Sequence, residues 1–503
     1  MERSSGILMH ITSLPGEFGI GTLGEEAYKF VDEIKAAGLK YWQVLPLTPV
    51  GYGNSPYSST SAFANNVLMI DPRKLEEMGL LTEAEVEVAK YDGDYPETKA
   101  DYDFADKNTR KFLDLAYARL TSEQLESFTK FKEDNAVWLD NYVLYEALRL
   151  SFDKKMWQDW PEAVRDRDPE YLDAFISEDK NKVLIDKLAF AQWIFRVQWD
   201  ALKSYANENG IEIIGDIPIF PALDSADAWA NPELFQLNEL GHTVFKAGVP
   251  PDYFSEDGQL WGNPLFAWEK HAEQDYAWWV SRVRNTMVLF DIVRIDHFRG
   301  FSAYWAVPGE DDTARDGEWI KGPGMDLFEV LHREIDDLKV IAEDLGEIDE
   351  ESAQLLEDSG YPGMEILMFS LDPDGETLPE DFKQHKLVYT GTHDNNTVLG
   401  WLDELEDKER EFAFEYCDID PNSDWETKGP ENPAARGFIE ACWKTKCDVV
   451  IIPTQDFLGM GTERRMNMPS TLNDVNWTFR ATEAELAELD IDWIKNLNKE
   501  YNR

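Results

Sequence analysis

The sequence predicts an α/β protein: a (β/α)8 TIM barrel with helical and loop subdomain insertions after its strands and no C-terminal β-sandwich. Three observations point there. Eight short, nearly continuous apolar runs are spaced along the chain, as parallel strands buried on both faces require. Stretches of helical period separate them. Carboxylates interrupt or close several of these runs, at the strand ends where barrel active sites assemble.

The first run, GILMH at 6–10, is followed by an amphipathic helix over 25–37 (Ala27, Phe30, Val31, Ile34, Ala37) that Gly38 stops. YWQVLPL at 41–47 is the second strand, IEIIGDIPIF at 211–220 the third, MVLFDIVRID at 287–296 the fourth and KVIAEDLG at 339–346 the fifth. MEILMFS at 364–370, KLVYTGTHD at 386–394 and DVVIIPTQD at 448–456 complete the set. The whole chain, 1–503, reads as one catalytic barrel. The gap between strands two and three is far longer than a crossover needs, and its helical periods predict a mostly helical insertion over 72–190 whose last helix serves the barrel. Two excursions, 221–270 and 301–330, are rich in Gly, Pro, Trp and Asp without clean periodicity. They read as loop insertions, the first covering substrate and the second following strand four.

Composition narrows the partners. The 503 residues carry 48 Lys and Arg against 99 Asp and Glu, a net charge of −51, which repels nucleic acid and anionic membrane surfaces. Three cysteines, Cys417, Cys442 and Cys447, form no zinc set and suit a reducing compartment. With no secretory leader at the start and no long apolar run, the expected location is the cytoplasm.

Two motifs mislead. Gly19, Gly21 and Gly24 match a dinucleotide fingerprint, yet the first glycine stands well past the strand end and no acid closes the second strand. Asp418, Asp420, Asn422 and Asp424 imitate a calcium loop that fails at Ser423 and Gly429.

The informative acids are Asp216, Asp296, Glu343 and Asp394, each at or just past a strand end. Singly, each reads as a cap or a surface turn; four on one barrel rim read as a site. Arg294 precedes Asp296 by two residues, so both side chains point the same way from a strand. The arginine is expected to lower the acid's pKa and keep it a ready nucleophile, while desolvation after Val340-Ile341-Ala342 is expected to raise that of Glu343, as an acid catalyst needs. Tyr52, Tyr57, Phe63, Asn65 and Asn66 after strand two, and Tyr253, Phe254, Trp261 and Asn263 in 248–264, supply flat rings and amides suited to sugars. His297 and His393 abut carboxylates, and hydroxyl hydrogen bonding is favoured over metal ligation for both.

The blocks GILMHITSLPGEFGIGTLG, WQVLPLTPVGYGNSPYSSTSAFANN, GDIPIF, GVPPDYFSEDGQLWGNPLFAW, RIDHFRG, IAEDLG, THDNNTVLGW and PTQDFLGMGTERRMNMP together resemble the 4-alpha-glucanotransferases, or amylomaltases, of glycoside hydrolase family 77 in the alpha-amylase superfamily. The resemblance runs from Gly6 to about Arg480. It implies transfer of alpha-1,4-glucan segments by a retaining double displacement, with Asp296 as nucleophile, Glu343 as acid/base and Asp394 as the carboxylate that favours the transition state. It implies sugar contacts by Tyr57, Asp216, Trp261, Arg294, His297, His393 and Asn395. It also implies no cofactor or metal, maltooligosaccharide substrates with glucose as an acceptor, and a monomer or homodimer. Asn396 and Val398-Leu399 depart from the more polar version of the THDNN block, which touches chain-length preference and not the chemistry. A hydrolase using the same acids, and a carbohydrate-binding protein with a degenerate site, are the alternatives.

Overall fold

The computed structural model describes residues 1–251, 256–346, 348–375 and 377–503; Tyr253 and Phe254 lie outside them. Twelve strands occur among these residues: β1 Ser4–Leu8, β2 Tyr41–Gln43, β3 Glu212–Ile217, β4 Phe245–Val249, β5 Gln259–Pro264, β6 Ile292–Ile295, β7 Ala303–Pro308, β8 Glu318–Lys321, β9 Val340–Ala342, β10 Gly363–Ile366, β11 Lys386–Tyr389 and β12 Val449–Pro453. Eight of them form a parallel sheet in the order β10-β11-β12-β1-β2-β3-β6-β9, so neighbours follow one another around the sheet as in a barrel. The seam between β9 and β10 is bridged by the Ala342 N–H donating to the Pro362 carbonyl at 2.9 Å. The barrel is therefore nearly closed, as the apolar runs predict.

The strands are shorter than those runs. Met287 to Leu289 finish the helix Ala277–Leu289, and only Ile292–Ile295 pairs. Beyond Ile366 and beyond Pro453 the chain turns at once into the short helices Leu367–Ser370 and Thr454–Phe457. An apolar run reports burial, and a buried helical turn beside a strand satisfies it equally well. Gly215 in β3 is fixed by packing: a Cβ there would meet the Phe290 ring at 2.0 Å, so a side chain would push β3 off the start of β6 and displace its neighbour Asp216.

Between β2 and β3 the chain is helical, with Tyr102–Tyr117, Ser122–Ser151 and Asp179–Glu208 the longest segments. Thr121 and Gln124 form a reciprocal cap that starts the second of these. The third is one continuous helix of 30 residues running through position 190. Its Phe190 and Trp193 rings pack on Phe128, and farther along Trp199 donates to the Leu289 carbonyl at 2.9 Å. Insertion and barrel thus share one rigid element. The segments 221–270 and 301–330, expected as loops, instead contribute β4, β5, β7 and β8 to a four-stranded antiparallel sheet in the order β5-β4-β7-β8. After β12 the described residues hold helices, turns and an isolated bridge from Phe479 to Lys99, and no further strand.

Candidate active site

At the C-terminal ends of the barrel strands lies an open cavity of about 580 Å³. Tyr57, Trp261, Arg294, Asp296, His297, Glu343, His393, Asp394 and Asn395 all line it. Asp216 stands behind this surface, 2% exposed, bonded to Tyr57 and Arg294. The sequence-predicted residues therefore converge on one place.

Its electrostatic centre is Arg294, paired across the β3–β6 register with Asp216. Its Nη1 donates to both Asp216 oxygens, at 2.8 and 2.7 Å, and its Nη2 lies 2.9 Å from Asp296 Oδ1. One buried guanidinium, fixed by a buried carboxylate, thus holds a second carboxylate at the cavity wall. Asp296 keeps 31% of its side chain open to the cavity. The expectation that Arg294 holds the Asp296 pKa low is corrected here. Burial outweighs the arginine, and the negative charges of Asp216 and Asp394 add to it, so the Asp296 carboxyl is pushed up to about 6. The guanidinium still favours ionisation at Asp296.

Glu343 follows β9 directly. Its Oε2 accepts the His297 N–H at 2.7 Å and its Oε1 the Leu345 N–H at 2.8 Å, while its backbone carbonyl accepts from Phe298. His297 adopts a left-handed backbone, φ 51°, uncommon for a residue with a side chain; these bonds from two strand ends hold it there. The same bend places Glu343 beside Asp296. Burial first, and then the Asp296 charge, push the Glu343 carboxyl up to about 7. Both acids are thereby raised toward neutrality, and Asp296 is the one held directly by the guanidinium.

Asp394 projects from the loop after β11, 47% exposed, where Asn467 donates to its Oδ1 at 2.7 Å and His393 Nε2 lies at 3.4 Å. His393 stacks on Tyr57, with ring centres 5.0 Å apart and planes 14° apart, and Trp477 leans on both. The Tyr57 hydroxyl donates to Asp216 at 2.6 Å. Opposite, in β5, Trp261 is 37% exposed and sets its ring against His297 at 4.8 Å. Burial and the nearby Arg299 lower the His297 pKa to about 4, which leaves a neutral imidazole. Asn395 lines the cavity, but its Oδ1 closes a turn on Thr392. Asn467 and Trp477 were not singled out from sequence. Asn467 sits in the MNMP stretch of a recognised block, which signalled importance without saying which residue meets which acid.

An open cleft floored by two neighbouring carboxylic acids, with a third acid on its wall and aromatic rings on either side, is suited to breaking and remaking an acetal bond.

Residues 9–486 match the family described as 4-alpha-glucanotransferase. The 4-alpha-glucanotransferase of Streptococcus pneumoniae (serotype 4) is 42% identical over 509 residues, covering 100% of this chain and 98% of the relative. That of Clostridium butyricum is also 42% identical, covering 98% and 100%. Among solved structures, amylomaltase from Streptococcus agalactiae in complex with acarbose superposes with a TM-score of 0.94 at 36% identity, each chain fully covered.

Proposed function

We propose, for a chain that belongs to glycoside hydrolase family 77, the 4-alpha-glucanotransferases, that it moves alpha-1,4-glucan segments between maltooligosaccharides by two successive displacements at the anomeric carbon. The observation that carries this reading is the pair of adjacent acids with unlike partners: Asp296 held by the Arg294 guanidinium at 2.9 Å, and beside it Glu343, whose oxygens accept the His297 and Leu345 N–H groups.

In the first step Asp296 Oδ attacks the anomeric carbon. The bond from that carbon to the glycosidic oxygen breaks, and Glu343 delivers its proton to the departing oxygen. The product is a glucan ester of Asp296 and a free 4-hydroxyl on the leaving chain. In the second step Glu343, now a carboxylate, takes the proton of an incoming sugar's 4-hydroxyl; that oxygen attacks the anomeric carbon, the bond from that carbon to Asp296 Oδ breaks, and Asp296 leaves as a carboxylate. Two inversions give net retention, and this requires the two carboxyl groups to stand about 5–5.5 Å apart. Asp394 would grip ring hydroxyls as positive charge develops, Tyr57 and His393 would face the donor ring, and Asn395 and His297 would contact hydroxyls. Trp261 would stack the acceptor, with glucose as the smallest. A sugar held on that ring reaches the ester ahead of water by proximity. Maltodextrin or glycogen turnover in the cytoplasm suits such an enzyme.

Incubation with maltotriose tests the assignment. Glucose together with maltopentaose and longer chains, with no net gain in reducing ends, is expected. A steady rise in reducing ends with only shorter products would identify a hydrolase instead.

A further inference from the structure

A second open cavity, of about 220 Å³, lies between the helices Ser122–Ser151 and Ala277–Leu289 and shares no lining residue with the cavity that holds the acids. Two indoles, Trp138 and Trp278, face it, together with Phe63, the carboxylate of Asp227 and the amides of Asn141 and Gln274. We propose that this cavity is a second, non-catalytic binding site for a linear alpha-1,4-glucan, an inference that rests on the glucan reading of the active site.

The lining selects the ligand class. It contains no Lys or Arg, and the only charge in it is a carboxylate, so phosphates and other anions are disfavoured; the net charge of −51 acts in the same direction. Indole rings beside a carboxylate and three amides, those of Asn141, Asn231 and Gln274, match a neutral ring with apolar C–H faces and hydroxyl edges. The parts are set in advance. Trp278 is held by Phe63 at 5.7 Å, edge to face, and by Phe235, Phe266 and Trp279 behind it. The Trp138 N–H is bonded to Asn135 Oδ1 at 3.2 Å, which fixes the ring while leaving it partly exposed. Asn141 Oδ1 already accepts from Arg167, so the amide nitrogen is the group it has to offer a hydroxyl.

The floor of this cavity is tied to the active site. Asp227 Oδ2 accepts the Ala62 N–H at 2.7 Å, and the Ala226 N–H donates to the Thr60 carbonyl at 2.9 Å. Both bonds hold the loop whose Tyr57 reaches Asp216. A long glucan anchored here is retained near the catalytic cleft, which raises the effective concentration of polymer and leaves short substrates unaffected.

The test counts sites. Calorimetric titration of maltoheptaose into Asp296→Asn, which cannot consume it, is expected to give two sites per chain, and one in the double variant Asp296→Asn/Trp138→Ala. In the active enzyme Trp138→Ala is expected to raise KM for amylose about fivefold or more, with kcat/KM for maltotriose within about twofold. Gln274→Ala removes an exposed side chain from the cavity wall and should weaken the second site about threefold. It decides the matter if Trp138→Ala does not fold. A single site in Asp296→Asn, or two sites unchanged by both lining variants, overturns the proposal. Failure to disproportionate maltotriose would instead overturn the glucanotransferase reading, so the two failures are distinguishable.

Discussion

Glu343 shows how much of the chemistry is decided by one side chain's surroundings. Both of its oxygens accept backbone N–H bonds, which favour the carboxylate, yet burial and the neighbouring Asp296 charge win and the carboxyl is raised to about 7. Asp296, raised to about 6, must be ionised to attack, so activity falls as pH drops through that value. Glu343 must be protonated to donate, so activity falls as pH rises through about 7. A narrow bell in kcat/KM is the expected profile. Glu343→Ala should lower maltotriose turnover at least about 10³-fold. With a glycosyl fluoride, whose leaving group needs no proton, the first step should persist and the alkaline limb should disappear. Measuring kcat/KM against pH for both substrates checks this. The positions of all four acids were legible in the sequence because a charge at the end of an apolar strand is conspicuous. The Asp296 shift differs from the sequence expectation because sequence shows Arg294 two residues away but neither the burial of the carboxyl nor the carboxylate on the neighbouring strand, Asp216, that shares the guanidinium.

At the level of elements, the barrel strands could be read because each is buried on both faces and so runs apolar. The four-stranded sheet β5-β4-β7-β8 could not. Its edge strands β5 and β8 are exposed or half-buried at nearly every position, so no apolar rhythm marks them, and β4 pairs with β7 from a distant part of the chain. This sheet matters because β5 carries Trp261 to the cavity wall against His297. An extended, paired strand holds the ring in place more firmly than an unpaired loop would. Trp261→Ala removes a ring that is over a third exposed, so the melting temperature should move by no more than about 2 °C. The balance of products should move much further. The hydrolysed fraction of maltotriose turnover should rise several-fold as water meets less competition from a seated acceptor, and reducing-end assays alongside product chromatography measure that ratio.

Across the whole molecule, one continuous apolar core runs from the barrel strands through the helical insertion, so the cleft is built on a single packed body. Around it, 99 acidic residues face 48 basic ones. Many of the ion pairs are exposed and individually weak, and the uncompensated negative charge repels itself. Salt screens that repulsion over about 10 Å at 0.1 M and about 3 Å at 1 M. The melting temperature should therefore rise between low salt and about 1 M KCl, as scanning calorimetry can follow; a flat or falling curve would mean that the acidic surface is already balanced locally. The sequence made the sign and size of the charge plain, and the structure adds that some charges are drawn inward, among them the Arg294–Asp216 pair at the mouth of the barrel.

The double displacement requires Asp296 to form a covalent bond to the sugar while Glu343 handles the proton. In Glu343→Gln, a maltotriosyl fluoride should load the enzyme and stall it, since departure of fluoride needs no acid whereas release to an acceptor needs the missing base. Intact-mass spectrometry is expected to show the addition of one maltotriosyl group, and peptide mapping to place it on Asp296. An unmodified protein that still turns the fluoride over, or an ester on any other carboxylate, would contradict the double displacement at its first step.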